Sequence, residues 1–266
     1  MQSLKNKIVF ITGASSGIGK ACAEQFAQLG ANVILTARRL DRIQTLADIL
    51  THAHHVKALA IQLDVRNKQL VDETIHQLPA DWKNIDILVN NAGLALTTDK
   101  IQEADPNNWE IMIDTNLKGL LYVTHAILPT MLARNEGHLI NIGSISGHDH
   151  YMGGNVYVAT KHAVRAISKS LRIDLLGTAL RVSEVAPAAV ETEFSEVRWK
   201  DKERAKQFYQ DFEPLKPEDI ADAVIYCATR RKGVNIGEVV VFPLAQASMH
   251  YVHRETVDVS KKGLFK

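Results

Sequence analysis

A glycine-rich turn, Thr12-Gly13-Ala14-Ser15-Ser16-Gly17-Ile18-Gly19, follows an apolar run at Lys7–Thr12 and opens a helical pattern that reaches Leu29. Strand, glycine turn and helix in this order constrain the fold more than any other feature of the chain. Gly13 permits a tight turn, Gly17 lets backbone approach a pyrophosphate, and Gly19 lets helix pack close to strand. The helix N-terminus offers free N–H groups and a positive dipole end to phosphate, with Ser15, Ser16 and Ile18 completing the loop. A purely structural glycine turn would look the same, so the rest of the chain has to decide.

Short β-branched runs at Asn32–Ala37, Ala58–Leu63, Ile85–Asn90, His138–Gly143, Arg181–Val185 and Glu238–Phe242 continue the pattern of Lys7–Thr12. Helical patterns fill the gaps, with long helices predicted at Asn108–Leu132 and Asn155–Gly177. The alternation predicts an α/β, single-domain Rossmann fold: a seven-stranded parallel sheet with helices on both faces. Residues 1–254 form that domain, and a polar tail occupies 255–266. The charged, amphipathic segment 194–215 interrupts the alternation and is a candidate substrate lid. A formal net charge of +1 speaks against nucleic acid as a partner. No run of about 18 apolar residues spans a bilayer, and the polar start leaves no room for a signal sequence, so a cytoplasmic protein is expected. Cys22 and Cys227 sit in apolar helical patterns and are read as core residues. His52, His54 and His55 lack a nearby cysteine or carboxylate set, and no metal is expected.

The end of the second strand chooses between dinucleotides. An NAD site usually places a carboxylate there for the ribose 2′-hydroxyl. This chain has Ala37 followed by Arg38 and Arg39, and guanidinium groups suit a 2′-phosphate, so NADP(H) is the expected cofactor. Asp41 is read as a cap of the next helix. Asp64 and Val65 follow the third strand and Asn90-Asn91-Ala92-Gly93 the fourth, at the carboxyl edge where open sheets bind ligands. Asp64 could equally cap a helix. Tyr157 and Lys161 stand four residues apart on one helix face. An ammonium about 6 Å from the phenol, at an effective dielectric near ~20, contributes roughly 3 kcal/mol, or about two pKa units. That would bring a group of pKa about 10 into range for acid/base work. Ser144, at the end of the fifth strand, can donate to a substrate oxygen.

Thr12-Gly-x-x-x-Gly-x-Gly19, Asn90-Asn-Ala-Gly93, Asn116, Ser144 and Tyr157-x-x-x-Lys161 together resemble the short-chain dehydrogenase/reductase family over nearly the whole chain. The resemblance implies that Tyr157 is the acid/base, that Ser144 positions the carbonyl, and that Lys161 binds the nicotinamide ribose. It further implies that Asn116 holds a relay water, that Asn90 and Asp64 line the adenosine side, and that Thr192 contacts the carboxamide, with Pro187 and Val190 beside it. The family's Pro-Gly after the sixth strand is Pro187-Ala188 here, which puts the local loop in doubt unless Ala188 has negative φ. Family members are commonly homotetramers, or homodimers, joined through the two long helices.

Gly153-Gly-Asn-Val-Tyr157, Thr192-Glu-Phe-Ser-Glu-Val-Arg198 and Phe242-Pro-Leu-Ala-Gln246 through His253-Arg254 resemble a narrower branch, the NADP-dependent 3-hydroxy acid dehydrogenases that include serine and L-allo-threonine dehydrogenases. Such substrates carry a carboxylate, and Arg198 in the candidate lid is the first choice to receive it. His148 and His150 are candidate donors from the loop before Tyr157, although loop histidines are usually surface residues. A broad carbonyl or 3-oxoacyl thioester reductase keeps the chemistry and changes the substrate. A non-catalytic NADP-sensing protein would have no need of Ser144, Tyr157 and Lys161. From the second strand comes a direct prediction: Ala37→Asp combined with Arg38→Leu shifts the preference from NADP toward NAD in a comparison of kcat/KM for the two cofactors.

Overall fold

The computed structural model describes residues 2–254; the predicted tail at 255–266 lies outside the described residues. The chain runs β1 (Ile8–Thr12), α1 (Gly17–Gln28), β2 (Asn32–Ala37), α2 (Leu40–His54), β3 (Ala58–Gln62), α3 (Lys68–His76) and β4 (Ile87–Asn90). It continues through α4 (Pro106–Ile113), a π-helical turn (Asp114–Gly119), α5 (Leu120–Arg134), β5 (Gly137–Ile142), α6 (Asn155–Asp174) and β6 (Leu180–Pro187). The last elements are α7 (Glu193–Trp199), α8 (Lys202–Phe208), α9 (Pro217–Ala228) and β7 (Glu238–Val241). Seven strands pair in parallel in the order β3-β2-β1-β4-β5-β6-β7.

Every residue of β1 is buried, because alternate side chains enter two different cores. Val9 and Ile11 join Phe26 of α1, Ile43 of α2 and Val224 of α9 on one face. Ile8 and Phe10 join Val71 of α3 and Val123, Ile127 and Met131 of α5 on the other. The chain leaves β1 through β2 and β3 and returns to its other side as β4. The loops after β1 and β4 therefore splay apart and open a crevice at the carboxyl edge.

Strand positions match the sequence pattern, and the differences have local causes. The fourth strand starts at Ile87 rather than Ile85, whose carbonyl accepts a hydrogen bond from the Arg134 side chain. The sixth extends from Leu180 to Pro187 because its pairing with β7 continues to the Pro187–Val241 register. The long predicted helix is α4 and α5 joined through the widened π turn that contains Asn116. Asp41 is not a cap: α2 begins at Leu40 and Asp41 lies inside its first turn. The interrupting segment folds as α7 and α8, capped by Thr192 and Asp201, whose side chains accept from Phe194 N and Arg204 N. Cys22 and Cys227 are free and buried. Among the described residues no helix is long and apolar enough to cross a membrane.

Phe10 is fully buried at the centre of the sheet. Phe10→Ala is expected to cost about 3–5 kcal/mol, read as a lower urea midpoint with an unchanged slope.

Candidate active site

The crevice is a cleft of about 580 Å³. Its floor is held by hydrogen bonds between the loops after β1 and β4. Asn91 Nδ2 donates to Thr12 O at 2.8 Å and to Gly13 O at 3.2 Å. The Thr12 hydroxyl accepts from Asn91 N at 3.0 Å and Ala92 N at 2.9 Å. Gly13 has φ +68°, a left-handed conformation in which a side chain is strained. Gly19 lies beneath the turn, where a Cβ would stand 2.4 Å from Asn91 Nδ2 and 2.5 Å from Gly13 O. Gly13, Ser15, Ser16, Gly17 and Ile18 line the cleft, and so do Ala92 and Gly93. Asn90 does not. It is buried below the floor, donating to Thr124 Oγ1 at 2.9 Å and Asn141 Oδ1 at 3.0 Å, because successive strand residues point to opposite sides. Asn91, its neighbour, is the residue at the cleft.

Arg38 and Arg39 both reach the cleft beside Ala37. The Arg39 guanidinium donates to Ser15 Oγ and Ser16 Oγ at 2.8 Å, and to Glu193 Oε2 at 2.8 Å. Glu193 also receives Arg42 at 2.6 Å, so the start of α7 is tied to the glycine turn. Asp64 lines the cleft with Val65 and does not cap α3, a role taken by Asn67. Hydrogen bonds from Arg66, as close as 2.6 Å, hold the Asp64 carboxyl below the usual carboxylate range.

At the centre of the cleft stand Ser144, Tyr157 and Lys161, all buried. Ser144 leaves β5 in an extended conformation, and its Oγ accepts from Ser146 N at 3.1 Å. Tyr157 and Lys161 share the inner face of α6, with Lys161 Nζ 6.0 Å from the phenol ring centroid. That ammonium points at the backbone, donating to Ile142 O at 2.9 Å. The expected downward pull of Lys161 on the phenol is therefore not what dominates. Burial pushes Tyr157 up to about 12, the Tyr151 phenol adds to it, and Ser144 and Arg198 pull the other way. Burial also lowers Lys161 to about 8. Asn116 stands outside the cleft lining: its Oδ1 accepts from Leu94 N at 2.8 Å, and its Nδ2 donates to Leu94 O at 2.8 Å and Thr160 Oγ1 at 3.1 Å. It braces the loop after β4 against α6.

The remaining wall comes from the loop after β6 and from α7 and α8. Pro187, Val190 and Thr192 line it, and Ala188 fits there because it is not among the described residues with positive φ. Phe194 packs against the Tyr157 ring with centroids 5.7 Å apart. The Arg198 guanidinium lies 5.5 Å from the Tyr157 ring centroid and donates to the Tyr151 hydroxyl, while its Nε is buried without a partner among the described residues. The two loop histidines are elsewhere. His150 is 86% exposed beside Asp149, and His148 turns toward β7, with Nε2 3.0 Å from Glu238 Oε1. Neither lines the cleft. Tyr151 and Arg66 are residues at the cleft that sequence reasoning missed, and Asn91 and Phe194 entered it only as members of longer motifs. Asn91 left a signal as the second amide of the Asn-Asn pair.

The family model of the short chain dehydrogenases matches residues 7–203. The chain belongs to this family. Among its relatives, the "NADP-dependent 3-hydroxy acid dehydrogenase YdfG" of Salmonella typhi is 49% identical over 242 residues, covering 90% of this chain and 96% of the relative. "Sulfoacetaldehyde reductase 2" of Chromohalobacter salexigens is 43% identical over 242 residues, covering 90% and 95%. A solved structure described as the closed form of serine dehydrogenase complexed with NADP+ superimposes with a TM-score of 0.87 at 48% identity, over 93% of this chain and all of that one (100%). This short chain dehydrogenase thus shares its fold with the solved serine dehydrogenase over nearly its whole length.

Proposed function

We propose that the protein is an NADP(H)-dependent dehydrogenase that interconverts the 3-hydroxyl and 3-carbonyl of a small hydroxy acid, of the serine, L-allo-threonine, 3-hydroxyisobutyrate or 3-hydroxypropionate type. The observation that carries the reading is Arg198: a half-buried cationic donor, its Nε unpartnered among the described residues, stands over the Tyr157 ring, where a substrate carboxylate would lie next to the reacting carbon. The relatives' names point the same way, since 3-hydroxy acids and sulfoacetaldehyde both join an anion to a short carbonyl or alcohol.

The cleft fits NADP(H). The glycine turn and the N-terminus of α1 suit a pyrophosphate, Ala37 leaves room where NAD sites place a carboxylate, and Arg38 and Arg39 face that space. Thr192 and Val190 stand where the carboxamide end would lie, and Lys161 is placed to hold the ribose. The cofactor, when bound, supplies or accepts the hydride. Tyr157 gives a proton to the carbonyl oxygen in reduction and takes it back in oxidation. Its high pKa keeps the phenol neutral near pH 7, the state that reduction requires. Ser144 donates to the substrate oxygen, and Asn116 positions the loop after β4 and α6 through Leu94 and Thr160. Segment 194–215 acts as the lid, latched to the cofactor end through Glu193.

A second reading, a broad carbonyl or 3-oxoacyl reductase, draws on the apolar side of the lid, where Phe194, Val197, Phe208 and Phe212 face the cleft. Exposed Leu121 and Leu132 on α5 and Ile173 on α6 suit subunit contacts, and Val240, Phe242 and Leu244 near β7 suit a second set, consistent with a homotetramer.

NADPH formation from NADP with L-serine, L-allo-threonine, 3-hydroxyisobutyrate, 3-hydroxypropionate and a neutral secondary alcohol tests the reading. Turnover of the acids with little of the alcohol is expected, and the reverse order overturns it. Tyr157→Phe is expected to lower kcat by about 100- to 10,000-fold while NADPH still binds. Arg198→Met is expected to raise KM for the acids by about tenfold or more, from the loss of roughly 1.5–3 kcal/mol of charged hydrogen bonding, and to leave the neutral alcohol unaffected.

A further inference from the structure

One buried carboxylate has no part in the mechanism above. Glu184 lies on β6, 1% exposed, and its Oε1 has no hydrogen-bond partner among the described residues. An unpaired buried carboxylate is costly, so a chain that keeps one needs a reason. The position is tight: a Cβ on Gly143 would stand 2.2 Å from Glu184 Oε1. The carboxylate is thus packed against the backbone between Ile142, whose carbonyl holds Lys161 Nζ at 2.9 Å, and Ser144.

The charges facing Glu184 come from three sides. From α6 come Lys161, Arg165 and Arg172, and from β7 comes Glu238. His148, from the loop after β5, offers a ring nitrogen within 4.8 Å of carboxylate oxygens of Glu184 and Glu238. Three such ligand atoms could suit a divalent metal, but three cations already oppose two carboxylates here, and a dication would worsen that balance. Arg165 Nε is engaged with Glu238 at 2.9 Å, and Arg172 donates to Gly237 O at 3.0 Å. His148 is held neutral, its pKa lowered by burial and by Arg165. Lys161, 7% exposed, has only a backbone carbonyl as hydrogen-bond partner and Glu184 as the anion acting on it.

We infer that Glu184 is a positioning residue, the buried counter-charge that keeps the Lys161 ammonium protonated beside Tyr157. The inference rests on the reading of Tyr157 and Lys161 as the proton-handling pair. Its sign follows from the directions involved. Burial lowers Lys161 to about 8 and Glu184 works against that fall. Burial raises Glu184 as well, and Lys161 with the arginines of α6 favours its ionised form, so each charge of the pair supports the other. Lys161 is charged below its pKa, and removing the Glu184 charge lowers that pKa. Tyr157, near 12, stays protonated throughout. The alkaline fall of carbonyl reduction then reports Lys161.

The test titrates Lys161 in protein made with carbon-labelled lysine, reading the ε-carbon chemical shift by NMR and assigning it with Lys161→Arg. Glu184→Gln is expected to lower the midpoint by about one pH unit or more, and Glu184→Asp to keep it near that of the native protein. Glu184→Asn, one methylene smaller, serves as the neutral variant if Gln does not fold. The alkaline limb of NADPH-dependent carbonyl reduction is expected to move to lower pH by the same amount. A Lys161 midpoint unchanged in the neutral variant overturns the inference, as does a rate lowered equally at every pH. The titration needs neither substrate nor cofactor, so a protein that fails to turn over hydroxy acids would leave this result standing.

Discussion

The parallel pairing of β1 between β2 and β4 is the constraint on which the rest depends. A strand in that position is covered on both faces, so it is apolar from Ile8 to Ile11 and carries its one polar side chain, Thr12, at its carboxyl end. Chemistry is left to the carboxyl ends, where the chain reverses its direction across the sheet. Thr12 and Asn91 bind the two diverging loops to each other, and that connection shapes the floor of the cleft.

Burial then governs the chemistry. Around Tyr157, Lys161 and Glu184 low polarizability favours the neutral form of every group: the phenol and the carboxyl are raised and the ammonium is lowered. Such surroundings hold a cation only where an anion or an electron-rich ring face is placed to support it. The same principle explains Arg198, a cationic group surrounded by Tyr151, Tyr157 and Trp199, whose ring faces accept it without neutralising it.

The candidate lid links the two ends of the cleft. Glu193, at the first residue of α7, is bound by Arg39 and Arg42 beside the glycine turn, and Arg198, near the last, lies over the Tyr157 ring.

Much of this was legible in the sequence. Period and composition are local properties, so the seven strands, the order of βα units, the glycine turn and the pairing of Tyr157 with Lys161 on one helix face could be read directly. The absence of a carboxylate after β2 was legible for the same reason. What the tertiary structure decided depends on direction and distance between remote segments. Asn90 and Asn91 are adjacent and chemically identical, and only the alternation of the strand sends one below the floor and the other into the cleft. Arg198 was the first choice for the substrate and His148 a weaker candidate, and packing turned His148 toward Glu238 and Arg198 over Tyr157. The effect of Lys161 on the phenol needed both the aim of its ammonium and the depth of burial. Sequence determines which groups are available and on which side of an element they sit; the fold alone decides how far apart they are and how much water remains between them, and charge interactions depend on both.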